Sequence, residues 1–282
     1  MVNNQCAGIY DKCLNIKITN ACPGSCYFCI ERDGYKPKMA PVSQIVEKAN
    51  ALEEYQTVLI LGGEPFAYPY LGELLKGLRK KETYITTNGG SFKNVDIPSV
   101  SKHLNGLNIS IHSYDEAENA ALLHTKVDFS ALKEAIDCFQ SNGVPVRFNT
   151  ILLADGICSR EKVKRMLAFC KEMNVSWIRF SELQFETRGF VFAKDCFDGI
   201  SPDPYHDGCN QDFTIDGLHV TVRQSCGIVN TCKPFPDGAL CRKNEADSLV
   251  MYPNGEVFPG WLVPKEYRIQ NTEPCEKVIE CL

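Results

Sequence analysis

Short β-branched or apolar runs recur along this chain about every 25–45 residues, and stretches with helical spacing lie between them. Strands are expected near Leu14–Thr19, Thr57–Leu61, Glu82–Thr87, Leu107–His112, Pro145–Ile151 and Ser176–Glu182. Between them, Val42, Ile45, Val46, Ala49 and Leu52 form one apolar stripe, and Leu132, Ala135, Ile136 and Phe139 form a second. Val163, Met166, Leu167, Cys170 and Met173 form a third, which Ser159 opens as an N-cap. Strands alternating with helices must pair in parallel through right-handed crossovers. Six such units give an α/β fold, either an open doubly wound sheet or a partial barrel. In both, reactive groups gather at the C-terminal ends of the strands.

The pattern changes after Glu182. Gly and Pro become frequent, as in Gly199-Ile200-Ser201-Pro202, and seven cysteines follow: Cys196, Cys209, Cys226, Cys232, Cys241, Cys275 and Cys281. Strand-like pieces remain at Leu218–Val222 and Leu249–Tyr252. The chain therefore divides into a core, residues 1–185, and a small Cys-rich extension, residues 186–282.

Composition removes several classes of function. A net charge of −5 opposes a broad phosphate-binding surface, so no nucleic-acid partner is expected. No apolar run reaches the roughly 18 residues of a membrane span. Met1 to Cys6 have neither a basic start nor an apolar core, so no secretory signal is expected and the location is read as cytoplasmic. Fifteen cysteines in such a chain point to metal ligation or thiol chemistry rather than disulfides.

The first strand runs into Cys22-Pro23-Gly24-Ser25-Cys26-Tyr27-Phe28-Cys29. Three thiolates this close can hold three corners of a cubane iron–sulfur cluster, leaving the fourth iron open to a small molecule. A zinc site and a chance spacing among fifteen cysteines are the other readings. Pro23 and Gly24 let the loop curl. The second strand ends in Gly62-Gly63-Glu64-Pro65, where two glycines permit close approach to a ligand and a carboxylate could grip an ammonium group. The third ends in Thr86-Thr87-Asn88-Gly89. Asn108, Ser110 and His112 share one face of the fourth strand, and Arg147 and Asn149 share one face of the fifth. Polar residues repeating on one face of successive strands predict a polar interior.

Together, these motifs resemble the radical S-adenosylmethionine (SAM) enzymes over about residues 10–190. The resemblance implies a partial (β/α)6 barrel with a small Cys-rich twitch-like extension. It implies that Cys22, Cys26 and Cys29 ligate a [4Fe–4S] cluster whose open iron chelates SAM. Phe28 would lie beside the adenine, the Gly62–Pro65 turn would meet the methionyl amine, and Ser110 would approach the ribose or carboxylate. Glu64 and Ser110 are expected to orient SAM rather than hold the fold. Thr87, His112, Arg147, Asn149 and Gln184 complete the expected cofactor set. The implied activity is reductive cleavage of SAM to a 5′-deoxyadenosyl radical, which takes hydrogen from a small-molecule or peptide substrate. The implied electron source is a low-potential donor such as flavodoxin or ferredoxin.

Two branches come nearest, the GTP cyclase of molybdenum-cofactor synthesis and the enzymes with SPASM or twitch extensions. Val146–Ile151 and Ile178–Glu182 resemble the cyclase's fifth and sixth strands, and that match places Gln184 against adenine through its backbone. Asn15 and Leu59, however, stand where the cyclase has GTP-binding arginines. In the tail, Gly260 stands where a twitch cysteine belongs. An auxiliary cluster on Cys226, Cys232 and Cys241, with Cys209, Cys275 or Cys281 as fourth ligand, is one reading of the extension. A clusterless cap is the other. A non-enzymatic iron–sulfur electron carrier is the competing class, but it would ligate all four irons and has no use for the Gly-Gly-Glu-Pro turn.

Overall fold

The computed structural model describes residues 12–32, 35–79, 81–183, 188–203, 206–207, 210–225 and 248–258. The six expected strands are present as β1 (Cys13–Lys17), β2 (Thr57–Leu61), β3 (Glu82–Thr87), β4 (Gly106–Ser110), β5 (Val146–Ile151) and β6 (Trp177–Ser181). They pair side by side and in parallel in chain order. Helices α1 (Val42–Ala51), α2 (Leu71–Gly77) and α3 (Ile97–Ser101) fill the first crossovers. Then come α4 (Glu116–Leu123), α5 (Phe129–Ser141), α6 (Arg160–Glu172) and α7 (Ala193–Phe197). Ser159 does cap α6, accepting from the Lys162 amide at 3.3 Å.

The segments after residue 200 extend this sheet on both edges. β7 (His206–Asp207), β8 (Asn210–Ile215) and β9 (Leu218–Arg223) continue it past β6, with β9 parallel to β6 and β8 antiparallel to β9. At the other edge β10 (Ser248–Met251) runs parallel to β1 and pairs antiparallel with β11 (Val257–Phe258). Both segments carry the strand pattern seen in the sequence. What periodicity could not supply was their pairing, which for β10 and β1 joins residues more than 200 positions apart.

The two faces of the sheet differ. Leu14, Ile16, Val58, Ile60, Phe148 and Phe180 belong to the main apolar core with the helices. The opposite face carries buried polar side chains: Asn15, Lys17, Asn108, Arg147, Asn149 and Thr221. This is the polar interior expected from the period-two pattern. Its register rows are continuous across strands: Ser110 pairs with Asn149, Asn149 with Arg179, and Arg179 with Thr221.

Candidate active site

The three clustered cysteines lie in the loop that leaves the C-terminal end of β1. Two backbones grip this loop. On one side, Gly63 N donates to Thr19 O and Glu64 N to Ala21 O, both at 2.8 Å. A Cβ on Gly63 would sit 1.8 Å from Ala21 O. On the other side, α4 ends at His124 in the left-handed conformation, φ 52°. That end exposes Leu123 O, which accepts from Ser25 N at 3.1 Å and from the Cys26 thiol at 3.6 Å. Gly24 is required there for space, because a Cβ would come 2.7 Å from the same carbonyl.

The Gly-Gly-Glu-Pro turn therefore differs from its sequence reading. The missing Gly63 side chain makes room for the cysteine loop. Glu64 is fully buried, and its carboxylate is turned into the protein. Oε1 accepts from Phe66 N at 3.0 Å and from the Thr87 hydroxyl at 2.7 Å, and Oε2 accepts from Asn88 N at 2.8 Å. Burial pushes its pKa up, while the three hydrogen bonds oppose that shift. Neither Glu64 nor Thr87 reaches out for an ammonium group. Both lock the turn after β2 to the turn after β3, with Pro65 buried in the short 3-10 turn that follows. The residue of the Thr-Asn-Gly run that does face the site is Asn88, whose amide points at Cys22 Sγ from 3.8 Å. That run was visible in the sequence, and within it the Thr87 hydroxyl is engaged with Glu64.

As whole residues Cys22 and Cys29 are exposed and Cys26 is half-buried, while their sulfurs are partly enclosed by the loop. Gly24 N donates to Cys22 Sγ at 3.4 Å, and the Glu31 amide bonds Cys29. Burial raises the pKa of all three, that of Cys26 to about 12, and Cys29 and Cys22 push Cys26 further in the same direction. Three mutually opposed thiols become thiolates readily only around a cationic centre. A cubane spreads its ligands over three corners, and the donor set, with its N–H···S contacts, fits that group.

Beside the cysteines, Phe28 packs into a small apolar cluster with Leu122, Leu153 and Leu183. His112 meets the Phe28 ring edge-on, 4.9 Å between centroids. Its Nδ1 accepts from Ile151 N at 3.2 Å, and burial lowers its pKa to about 4, so the ring is neutral. Ser110 ends β4 at a partly exposed position on the polar face, paired in register with Asn149. Asn149 is buried, and its Oδ1 has no hydrogen-bond partner among the described residues. Arg147 lies one row below, its guanidinium 5.1 Å over the Trp177 ring. Gln184, Cys226, Cys232 and Cys241 lie outside the described residues. The apolar partners of Phe28 were missed by sequence reading because they come from three separate connections and carry no chemistry of their own.

The profile of the Radical SAM superfamily matches residues 16–170, more than half of the chain. A relative in Sulfolobus acidocaldarius, named "Probable GTP 3′,8-cyclase", is 26% identical over 241 residues, covering 81% of this chain and 74% of its own. The GTP 3′,8-cyclase of Aquifex aeolicus is 25% identical over 184 residues, covering 61% and 56%. Among solved structures, Streptococcus suis SuiB bound to S-adenosylmethionine superposes with a TM-score of 0.61 at 18% identity. That match covers 89% of this chain but 60% of SuiB, so the present chain spans less than two thirds of that protein. HydG, a maturase of the [FeFe]-hydrogenase, superposes with a TM-score of 0.51 at 14% identity, covering 65% of this chain and 47% of its own. With this match and this barrel, the chain belongs to the radical SAM superfamily, and it is an enzyme whose cofactors are a [4Fe–4S] cluster and S-adenosylmethionine.

Proposed function

We propose that Cys22, Cys26 and Cys29 hold the cluster and that the chain cleaves SAM reductively to act on a small-molecule or peptide substrate in the polar interior. One observation carries this reading. The loop that carries the three thiols is held between the Gly63–Glu64 backbone and the C-terminal carbonyl of α4, at the C-terminal mouth of the sheet. When bound, the two cofactors supply a hydrogen-abstracting 5′-deoxyadenosyl radical. This chain's residues supply position and exclusion of water. The backbone of the Gly62–Pro65 turn, rather than the Glu64 carboxylate, meets the methionyl end. Phe28 with Leu153 and Leu183 offers an apolar bed for the adenine, with the Gln184 backbone as a further contact. Ser110 and Asn149 face the ribose and carboxylate side, with Arg147 behind them. A low-potential donor such as flavodoxin or ferredoxin supplies the electron. Residues 1–185 are the core and 186–282 the extension, where an auxiliary cluster on Cys226, Cys232 and Cys241 remains the alternative to a plain cap.

The relatives named GTP 3′,8-cyclase make that reaction the second reading. Two positions weigh against it. The Asn15 amide is spent on Leu249 O at 3.1 Å, and Leu59 packs against Cys13 and Tyr84. Neither offers a cation to a triphosphate, where each charged hydrogen bond contributes about 1.5–3 kcal/mol. SuiB has been solved with its precursor peptide SuiA, which keeps a peptide within the substrate class proposed for this chain.

Anaerobic reconstitution tests the proposal. The wild type should hold at least about four irons per chain and release 5′-deoxyadenosine under reductant. The triple variant Cys22→Ala, Cys26→Ala, Cys29→Ala should lose about four irons and release no 5′-deoxyadenosine while keeping its circular dichroism spectrum. Release of 5′-deoxyadenosine by the folded triple variant would overturn the ligand assignment.

A further inference from the structure

Lys17 is the last residue of β1 and only 1% exposed. Its ammonium is in direct ion-pair contact with the Glu31 carboxylate, at side-chain exposures of 2% and 12%. It also donates to Tyr35 O at 3.3 Å and lies 5.5 Å from the centre of the Tyr252 ring. Lys17 stands five residues before Cys22, and Glu31 stands two after Cys29. The pair therefore closes the base of the loop that carries all three cysteines.

Such a pair is not explained by stability. Two desolvated charges gain little over apolar side chains of similar volume, which often stabilise as well or better. What the pair does provide is two opposite charges at low dielectric beside the cysteine loop, where screening is weak. Glu31 follows Cys29 by two residues and Lys17 is in contact with Glu31, so both charges lie at the base of the cysteine loop.

We propose that the buried Lys17–Glu31 pair sets the reduction potential of the cluster, with Lys17 favouring the reduced form and Glu31 opposing it. This rests on the assignment of Cys22, Cys26 and Cys29 as ligands. Reduction adds one electron from a low-potential donor to a 2+ core and gives a 1+ core, with no bond broken and no proton taken up. A nearby positive charge stabilises the added negative charge, and a nearby negative charge destabilises it. Lys17 and Glu31 are positioning residues: they bear on the electron-entry step through the field at the cluster and do not touch SAM or substrate.

The test is potentiometry of the reconstituted protein, followed by electron paramagnetic resonance, with dithionite as reductant. Lys17→Met should shift the midpoint potential down and Glu31→Gln should shift it up, the latter by more. The double variant should return close to wild type, and Lys17→Arg should rescue the single loss. The shifts should survive about 0.5 M salt, because Lys17 is buried and Glu31 is largely shielded from solvent. A purely mechanical clamp predicts shifts of the same sign, or none, in variants with full iron content, and that result would overturn the proposal. If Lys17→Met fails to hold the cluster, the direction given by Glu31→Gln decides alone. A folded triple Cys→Ala variant that still releases 5′-deoxyadenosine would instead overturn the ligand assignment.

Discussion

The Thr87 hydroxyl donates to Glu64 Oε1 at 2.7 Å, so two neighbouring strand ends share one buried carboxylate. The turn after β2 and the turn after β3 are thereby one mechanical unit, and the cysteine loop hangs from it through Ala21 O.

Glu64→Gln should therefore cost stability. An amide cannot accept from all three donors, and at least one meets an N–H instead. The expected loss is about 2–3 kcal/mol, and about 1 kcal/mol for Thr87→Val. A double-mutant cycle in urea should return a coupling of about 1 kcal/mol. Full stability of Glu64→Gln with weakened SAM binding would restore the carboxylate to a ligand role.

Gly63→Ala should be more damaging than any other single methyl in the core loop. The added Cβ would meet the Ala21 carbonyl at 1.8 Å, and that backbone has no rotamer with which to give way. Gly72 is the internal control: it lies in α2 with nothing within 4 Å of a built Cβ. Gly72→Ala should gain about 0.5–1 kcal/mol from helix propensity. Gly63→Ala should lose more than 1–3 kcal/mol, the usual range for overpacking, and should reconstitute with less iron. Equal thermal midpoints for the two variants would refute the close approach.

His112 gives the fold a pH dependence. Its folded pKa of about 4 lies below the ordinary 6.5, because burial disfavours the charged ring. The unfolded chain therefore binds the proton first as pH falls. The contribution is complete above about pH 6.5 and is lost progressively as pH falls toward and through about 4. Its ceiling is about 3 kcal/mol. Urea midpoints measured between pH 7 and 4.5 should show a steeper decline in the wild type than in His112→Gln. Parallel declines would mean that other groups carry the acid sensitivity.

Much of this architecture was legible in residue pattern. The six parallel strands are fixed by short apolar runs, since period two on one face and apolar residues on the other leave little choice of register. The cysteine loop was legible because its chemistry is concentrated in eight consecutive residues. What stayed hidden depends on direction and distance. Glu64 and Thr87 carry the right chemistry but point inward, and spacing alone cannot say on which side of a turn a side chain falls. Lys17 carried no signal in the sequence, because its partner Glu31 lies across a loop. β9 and β10 were recognisable as strands, but their places beside β6 and β1 depend on long-range pairing that local periodicity does not encode.

Asn149 separates a binding role from a structural one most cleanly. Its side chain is 8% exposed, and its Oδ1 has no hydrogen-bond partner among the described residues. A buried acceptor without a donor costs about 1–3 kcal/mol, and an apolar side chain of similar shape removes that cost. Asn149→Leu should therefore leave the SAM-free protein as stable as the wild type, or more stable by about 1 kcal/mol. The same variant should bind SAM at least tenfold more weakly if the ligand supplies the missing donor, since each tenfold step corresponds to about 1.4 kcal/mol. Ser110, its register partner, gives the comparison: Ser110→Ala should weaken SAM binding without the gain in stability, because its position is only partly buried. Anaerobic calorimetry with SAM and urea unfolding without it give the two readouts on one preparation. Lower stability of Asn149→Leu with unchanged SAM affinity would make Asn149 a structural residue and remove it from the site.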